Sequence, residues 1–175
     1  IQPGLIDVNC NADNAQKVAT LARGIHGISL PYSNVDASIA QVLPGMVRAD
    51  GSILDIGIIS STTTTASLKQ AVKKSGRTSG LTRSTISGLN ATVRVAYDNE
   101  CAGSAAFTKT FTGQIIISNK GSNFLRAGDS GSLMVEDKGT TPKAVGLLFA
   151  GSSTTAVANP IGDVLSFFGA SMVGQ

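Results

Sequence analysis

Tryptophan is absent from this sequence, and charged residues make up only 14% of its 175 positions. Ser, Thr and Gly supply most of the polar share, which favours strands and tight turns over long charged helices. No apolar run reaches the roughly 18 residues that a membrane span needs, so no membrane partner is expected. Nothing at the N-terminus has the pattern of a signal peptide, although such a segment could have been removed or lie upstream of Ile1.

Cysteine and histidine are scarce as well, with two copies and one copy. Cys10 and Cys101 belong to no CxxC or His-rich pattern, so neither a disulfide framework nor a metal site or other cofactor is expected. The two thiols form either a single bridge or two small buried side chains, and the sequence leaves both open. The bridge would favour a secreted or extracytoplasmic protein.

The net charge of +3 comes from basic residues that are scattered along the chain. The nearest approach to a cluster runs from Lys69 to Arg83, and it contains no aromatic residue. Nucleic-acid binding needs a basic face with stacking rings or a known motif. These residues therefore indicate a solvated rim, and no nucleic-acid partner is expected.

Short runs of β-branched and apolar residues recur between Gly-, Pro- and Asn-rich turn signals, and they predict an all-β protein. Two segments have a helical pattern: TASLKQAVKK at residues 65–74, and the tail NPIGDVLSFFGASM, where Pro160 stands near the helix start. Strands are expected near Val18–Leu21, Ala37–Val42, Ile56–Ile59, Thr85–Ser87, Thr92–Ala96, Phe107–Ser118, Ser132–Val135 and Lys143–Ala150.

The stretch LRAGDSGSLMVED, residues 125–137, is the best candidate for chemistry. Acyl transfer by serine needs an exposed hydroxyl, a base, and donors aimed at the developing oxyanion. Gly128 and Gly131 allow sharp backbone turns, so the amides of Gly128 and Ser130 can converge on one oxygen while Asp129 holds the loop from behind. A bare GDSG also occurs where serine merely closes a turn, so the motif alone leaves both interpretations open.

The surrounding sequence resembles the trypsin/chymotrypsin-like serine endopeptidases of the microbial type. GDSGS at residues 128–132, AVGLLFAGS at 144–152, ANPIGDVLSFF at 158–168 and VKKSGRTSGLTRSTI at 72–86 carry the resemblance. It implies an all-β, chymotrypsin-like double β-barrel with the second barrel complete, the first partial, and a C-terminal helix. The expected division is a partial N-terminal barrel over 1–60, a linker over 61–71 around the SSTTTTAS tract, and the C-terminal barrel with its helix over 72–175.

Two aspartates are candidates for the acid that orients a catalytic histidine. Asp36 precedes Ser130 by 94 residues and Asp55 by 75, whereas the acid of the chymotrypsin template precedes its serine by roughly 90 residues. The run VDASIA at Asp36 also resembles the VDAAIA run of microbial relatives. Asp36 is therefore the predicted acid, and Asp55 is interpreted as a turn carboxylate.

The general base is the missing member of the set. The template separates histidine from aspartate by roughly 45 residues, whereas His26 stands only 10 residues before Asp36. We therefore expect the base upstream of residue 1, in a longer enzyme of which this chain is the C-terminal part. An ammonium of Ile1 paired with Asp129, as in activated trypsin-like enzymes, is rejected because no histidine occurs about 40 residues into the chain.

The resemblance implies a serine endopeptidase that cleaves a polypeptide substrate through an acyl-enzyme on Ser130. By family correspondence Phe124 forms the base of the primary pocket, and the backbone of Phe149, Ala150 and Gly151 forms one wall. No carboxylate stands at that base, so small or apolar substrate side chains are expected. Two alternatives remain, a pseudoprotease or other peptide-binding β-barrel and a structural β-barrel. An N-terminal fragment of the same precursor is a possible partner, and the isolated chain should be nearly inert.

Overall fold

A computed structural model describes residues 8–11, 13, 17–26, 34–97 and 106–175, with the backbone alone for 23–26. The strands of the first part are β1 (Ala19–His26), β2 (Ser38–Val42), β3 (Ser52–Ile53) and β4 (Gly57–Ile58). The second part comprises β5 (Ala71–Gly76), β6 (Gly80–Tyr97), β7 (Phe107–Ser118), β8 (Leu133–Glu136), β9 (Ala144–Gly151), β10 (Thr155–Pro160) and helix α1 (Ile161–Phe168).

The six strands of the second part close into a barrel in the order β10-β7-β6-β5-β8-β9. Every neighbouring pair is antiparallel, which suits strands joined by short turns. The expected complete second barrel with a C-terminal helix is confirmed. In the described residues of the first part, β1 pairs with β2 and β3 with β4, giving two two-stranded sheets instead of a closed barrel.

The barrel interior is filled by one side of each strand, because successive side chains point to opposite faces. The cluster consists of apolar residues that are at most 8% exposed: Val72, Ile86, Ile115, Ile117, Phe124, Leu125, Met134, Val145, Leu148, Ala156 and Ala158. All of them come from the second part of the chain, so this part has a hydrophobic core of its own.

The helix predicted over residues 65–74 is wrong. Residues 71–74 belong to β5, on which Val72 and Lys74 are buried with the two-residue period of a strand. The paired lysines imitate a polar helix face in the sequence, but Lys73 lies 3.6 Å from Asp137 and Lys74 enters the interior. The tertiary partners of these two lysines override the local pattern.

The segment expected as a linker over residues 61–71 is extended and attached to the barrel. The N–H of Thr64 donates to the carbonyl of Ala144 at 3.0 Å, and the N–H of Ser61 donates to the carbonyl of Gln175 at 2.8 Å. A parallel bridge also joins Thr63 to Ala144. These bonds hold the connection against the start of β9 and the C-terminus.

The predicted C-terminal helix is confirmed as α1. Pro160 stands at its N-cap, and Gly169 ends it in the left-handed conformation at φ +59°. Buried Ile161 and Val164 share an apolar cluster with Val35 of the first part. The helix thereby packs against the segment that leads to β2.

Cys10 is disulfide-bonded, which removes the alternative of a free thiol there, while Cys101 lies outside the described residues. Among the residues that the structure describes, no helix is long and apolar enough to cross a membrane.

Replacing Leu148 with Ala should lower the free energy of unfolding by about 2–5 kcal/mol, because the side chain is fully buried in the barrel core. The matched control is Leu68→Ala, since Leu68 is 60% exposed and its truncation should change stability by less than about 0.5 kcal/mol. Urea denaturation followed by circular dichroism measures both. Equal effects of the two substitutions would contradict the assignment of the core.

Candidate active site

Ser130 lies in the loop between β7 and β8, flanked by two glycines that the backbone requires. Gly128 has φ +90° and Gly131 has φ +87°, a region that side chains rarely occupy. A Cβ at Gly128 would also stand 2.5 Å from the Thr78 hydroxyl oxygen. The resulting turn leaves Ser130 exposed, and its hydroxyl donates to the carbonyl of Phe149 at 3.2 Å.

The backbone N–H groups of this loop fall into two sets. Those of Asp129, Gly131 and Ser132 donate to backbone carbonyls at 2.7–3.0 Å. Those of Gly128 and Ser130 donate to no acceptor in the part of the chain that the structure describes. Two donors close to one serine hydroxyl therefore remain available for an oxygen atom of a ligand.

The carboxylate of Asp129 is fully buried and anchors the loop from behind. It forms an ion pair with Lys74 at 3.2 Å, and both side chains are 0% exposed. The Ser79 hydroxyl donates to it at 2.5 Å, and the N–H groups of Thr78 and Arg126 donate at 2.8 and 2.9 Å. The β5–β6 hairpin, which carries Lys74, Thr78 and Ser79, is thus tied to the Ser130 loop.

Burial and hydrogen bonding act on Asp129 in opposite directions. Burial by itself raises its pKa, but the Ser79 hydroxyl and the three backbone N–H groups favour the charged form and lower the pKa to about 2. Burial also lowers the pKa of Lys74, and the Asp129 carboxylate opposes this. Asp129 is therefore ionised at neutral pH, and Lys74 is its counter-charge at 3.2 Å.

Asp36 is fixed by an asparagine of β10. The Asn159 amide accepts from the N–H of Asp36 and donates to its carbonyl, both at 2.8 Å. Asn159 is fully buried, so the backbone around Asp36 is held against the barrel. The Tyr97 hydroxyl, at the end of β6, donates to the Oδ2 atom of the Asp36 carboxylate.

The surroundings of Asp36 perturb two acidic groups. Burial raises the pKa of Asp36, while the hydrogen bond from Tyr97 and the positive charge of Lys109 oppose the rise. Burial, with the Asp36 carboxylate as a second cause, raises the pKa of Tyr97. The tyrosine therefore stays protonated and acts as a hydrogen-bond donor to Asp36.

Asp36 and Ser130 line the same cleft, which has a volume of about 860 Å³. Asp36 stands on one wall with Tyr97, and Ser130 stands on another with Gly128 and with residues 147–151 of β9. Asp55 instead has φ +62° in the turn between β3 and β4, and it does not line the cleft. The structure thus brings Asp36, and not Asp55, to the serine.

A second cavity of about 420 Å³ adjoins Ser130 on its other side. Phe124, expected at the base of the substrate pocket, does not line it, because the ring is fully buried in the barrel core. Its neighbours Asn123 and Leu125 do line the cavity. The predicted wall residues are divided: Ala150 and Gly151 line both spaces, whereas Phe149 lines the cleft alone.

The fold is similar to those of solved microbial serine proteases. The chymotrypsin of Cellulomonas bogoriensis has a TM-score of 0.63 at 22% identity, with 95% of this chain and 83% of that chain covered. Protease A of Thermobifida fusca has a TM-score of 0.58 at 23% identity, covering 82% and 71%. A glutamic-acid-specific serine protease, described as using a histidine triad in substrate binding, has a TM-score of 0.60 at 22% identity, covering 92% and 76%.

A family model described as the Nal1 C-terminal domain matches residues 19–159. The chain belongs to this family. No curated protein matches it in sequence. The matched range runs from the start of β1 to Asn159, the last residue but one of β10, and includes both Asp36 and Ser130. The strand order and the structural neighbours agree. This member of the Nal1 C-terminal domain family has the chymotrypsin-like β-barrel fold that the sequence predicted.

His26, the single histidine of this Nal1 C-terminal domain, stands at the end of β1. The backbone of His26 pairs with Ser38 of β2, and the structure describes this backbone without the imidazole side chain. Within the described ranges, no three His, Cys, Asp or Glu side chains form a group that could hold a metal ion.

Several residues of the site were not found by sequence reasoning. The sequence predicts a helix around Lys74 and indicates no role for Asn119, Asn159, Tyr97 or Arg126. The positions of Asn119 and Asn159 beside and within predicted apolar segments could have indicated a structural role for them. Asn is depleted in strands, and a buried Asn needs hydrogen-bond partners. Nothing in the sequence pairs Lys74 with Asp129, since 55 residues separate them.

Replacing Asp129 with Asn should destabilise the protein by about 3–5 kcal/mol at neutral pH, because the Lys74 ammonium would then be buried without its counter-charge. Chemical denaturation measures the loss. Adding Lys74→Met to Asp129→Asn should recover part of it, since the uncompensated charge is removed. A cost of less than about 1 kcal/mol for the single substitution would contradict the description of the pair.

The stability difference between the wild type and Asp129→Asn should also depend on pH. The pKa of Asp129 is about 2 in the folded protein and about 3.9 in an unfolded chain. Its contribution is therefore complete above the unfolded value and is lost as the pH falls through the folded value. The difference in unfolding free energy between the wild type and Asp129→Asn should shrink between pH 4 and pH 2.

Proposed function

We propose that this domain is the Ser130-bearing part of a serine endopeptidase. One observation carries the proposal: an exposed hydroxyl lies beside two N–H groups that have no acceptor among the described residues, in a cleft that Asp36 also lines. Ser130 is the proposed nucleophile, and the amides of Gly128 and Ser130 form the oxyanion hole. The similarity in fold to serine proteases supports this, and the chemistry remains our proposal.

In the proposed reaction, the Ser130 oxygen attacks the scissile carbonyl while a histidine accepts its proton. The carbonyl oxygen becomes an oxyanion that the two amides stabilise. The histidine then gives the proton to the leaving amine, and an acyl-enzyme remains on Ser130. Water, activated by the same base, releases the new C-terminus of the substrate.

The histidine is proposed to come from a segment preceding residue 1, and the family description as a C-terminal domain is in keeping with this. Asp36 would orient its imidazole. Tyr97 occupies the Oδ2 atom of the carboxylate, so Oδ1 is the atom left for the imidazole N–H. The Ser130 hydroxyl, whose proton that histidine would accept, donates to the carbonyl of Phe149.

The substrate is proposed to be an extended polypeptide lying along residues 149–151. Ala150 and Gly151 are bonded to β10 on one side, through Val157 and Ala156, and they line the cleft on the other. Such a free strand side can add a peptide by backbone hydrogen bonds. One structural neighbour uses a histidine triad in substrate binding, but a chain with a single histidine cannot supply that set of groups.

Replacing Ser130 with Ala in the full-length protein should abolish covalent labelling by a fluorophosphonate, because the attacking oxygen is removed. Intact-mass spectrometry of the labelled protein measures this. Ser87→Ala is the control, since Ser87 is exposed and lies outside both cavities. Labelling that persists in Ser130→Ala refutes the nucleophile, and a wild type that never labels favours a peptide-binding pseudoprotease.

Replacing Asp36 with Asn in the full-length protein should lower kcat about 10⁴-fold, because the carboxylate would no longer orient the imidazole and stabilise its charged form. Steady-state hydrolysis of a casein-derived peptide measures the change. Asp55→Asn is the matched control and should retain wild-type activity, since Asp55 lies in the β3–β4 turn. A larger loss in the Asp55 variant than in the Asp36 variant would reverse the choice of acid.

A further inference from the structure

Among the described residues that line the cavity of about 420 Å³ beside Ser130, Arg126 is the one that carries a charge. The other lining residues are uncharged: Asn119, Asn123, Leu125, Ala127, Ser130, Ala150, Gly151, Ser152 and Ser153. No carboxylate of a described residue lines this space. The described lining therefore has a net positive charge and mixes polar with apolar residues, which differs from the apolar pocket expected from the sequence.

The backbone of Arg126 is held in place by Asp129. The N–H of Arg126 donates to the Asp129 carboxylate at 2.9 Å, and its carbonyl accepts from the N–H of Asp129 at 3.0 Å. The guanidinium, in contrast, is exposed and makes no ion pair or hydrogen bond with the described residues. A fixed backbone with an uncommitted cationic group is a suitable arrangement for binding an anion.

The charge of Asp129 does not neutralise Arg126. That carboxylate is fully buried behind the loop and is paired with Lys74, whose side chain is also 0% exposed. The two buried charges offset each other, because they lie 3.2 Å apart. Among the described lining residues, Arg126 is therefore the charged one whose charge no described group offsets.

The walls of the cavity are fixed by Asn119, which is buried. Its amide nitrogen donates to the carbonyls of Leu125 and Ser152 at 3.1 and 2.7 Å, and its oxygen accepts from the N–H of Leu125 at 2.9 Å. Glycine is required at position 151 for this packing, since a Cβ there would stand 2.8 Å from the Leu125 side chain. The space can thus hold a short, acyclic side chain without rearrangement.

We propose that this cavity receives an acidic side chain, Glu or Asp, of the residue that precedes the scissile bond, and that Arg126 determines this specificity. The proposal rests on the proposed peptidase function. A planar guanidinium can donate two parallel hydrogen bonds to a carboxylate, which uncharged isosteres such as Gln do not accept with equal strength. A cationic substrate side chain is disfavoured by like charge.

The first test measures binding without turnover. The full-length protein carrying Ser130→Ala is titrated calorimetrically with product-like peptides that differ only in a C-terminal Glu, Gln, Leu or Lys. The Glu peptide should bind about tenfold more tightly than the Gln peptide, the lower limit for a hydrogen bond to a charged group. The preference should weaken as salt rises, because the cavity is open to solvent. Equal binding of Glu and Gln overturns the proposal.

Variants of Arg126 make the test specific. Arg126→Gln should abolish the preference for Glu, and Arg126→Glu should shift it toward Lys. Lys120→Gln removes one positive charge from the preceding turn, outside the cavity, and it should keep the preference. A preference that survives Arg126→Gln, or that disappears equally in Lys120→Gln, overturns the role of Arg126.

Hydrolysis separates the two proposals. In the full-length protein, kcat/KM for a peptide with Glu before the scissile bond should exceed that for Gln about tenfold, and Arg126→Gln should remove the difference. Cleavage that depends on Ser130 but has equal kcat/KM for the Glu and Gln peptides refutes the specificity alone. Tight, Arg126-dependent binding of the Glu peptide without any cleavage refutes the peptidase function and supports the binding site for acidic side chains.

Discussion

The ion pair between Lys74 and Asp129 is the interaction on which the candidate active site depends. Both side chains are fully buried, so each charge would be very costly in the interior without the other. Lys74 belongs to β5, and Asp129 precedes the serine, so their pairing ties the β5–β6 hairpin to the loop between β7 and β8. Asp129 in turn holds the backbone of Arg126 and aims its carboxylate away from the cleft.

The cleft and the second cavity beside Ser130 are each held in shape by a buried amide. Asn159, on β10, binds both backbone groups of Asp36, and Asn119 joins Leu125 to Ser152 across the second cavity. An amide can donate and accept at once, so it can satisfy two backbone groups with no net charge. The barrel thereby positions an acid and a serine that lie 94 residues apart.

The strand and helix patterns were predictable where one face of an element is apolar. Residues 107–118 were predicted as one strand and form β7, and α1 begins directly after Pro160, as its spacing indicates. The pattern failed at β5, because a fully buried lysine beside a partly buried one imitates a helix face in the sequence. The site was predictable in part: GDSG locates Ser130 and Gly128, but family correspondence placed Phe124 in a pocket, whereas the ring fills the barrel core.

The sequence by itself determined the short-range features of this protein. Glycines at 128 and 131 permit the turn around Ser130, and apolar alternation specifies strands, because both effects act between neighbouring residues. The tertiary structure alone decided what neutralises Asp129 and which charged residue lines the second cavity, and it placed Asp36 in one cleft with Ser130. These features depend on contacts between residues that are far apart in the chain. Such contacts form only when the barrel closes, so no local pattern encodes them.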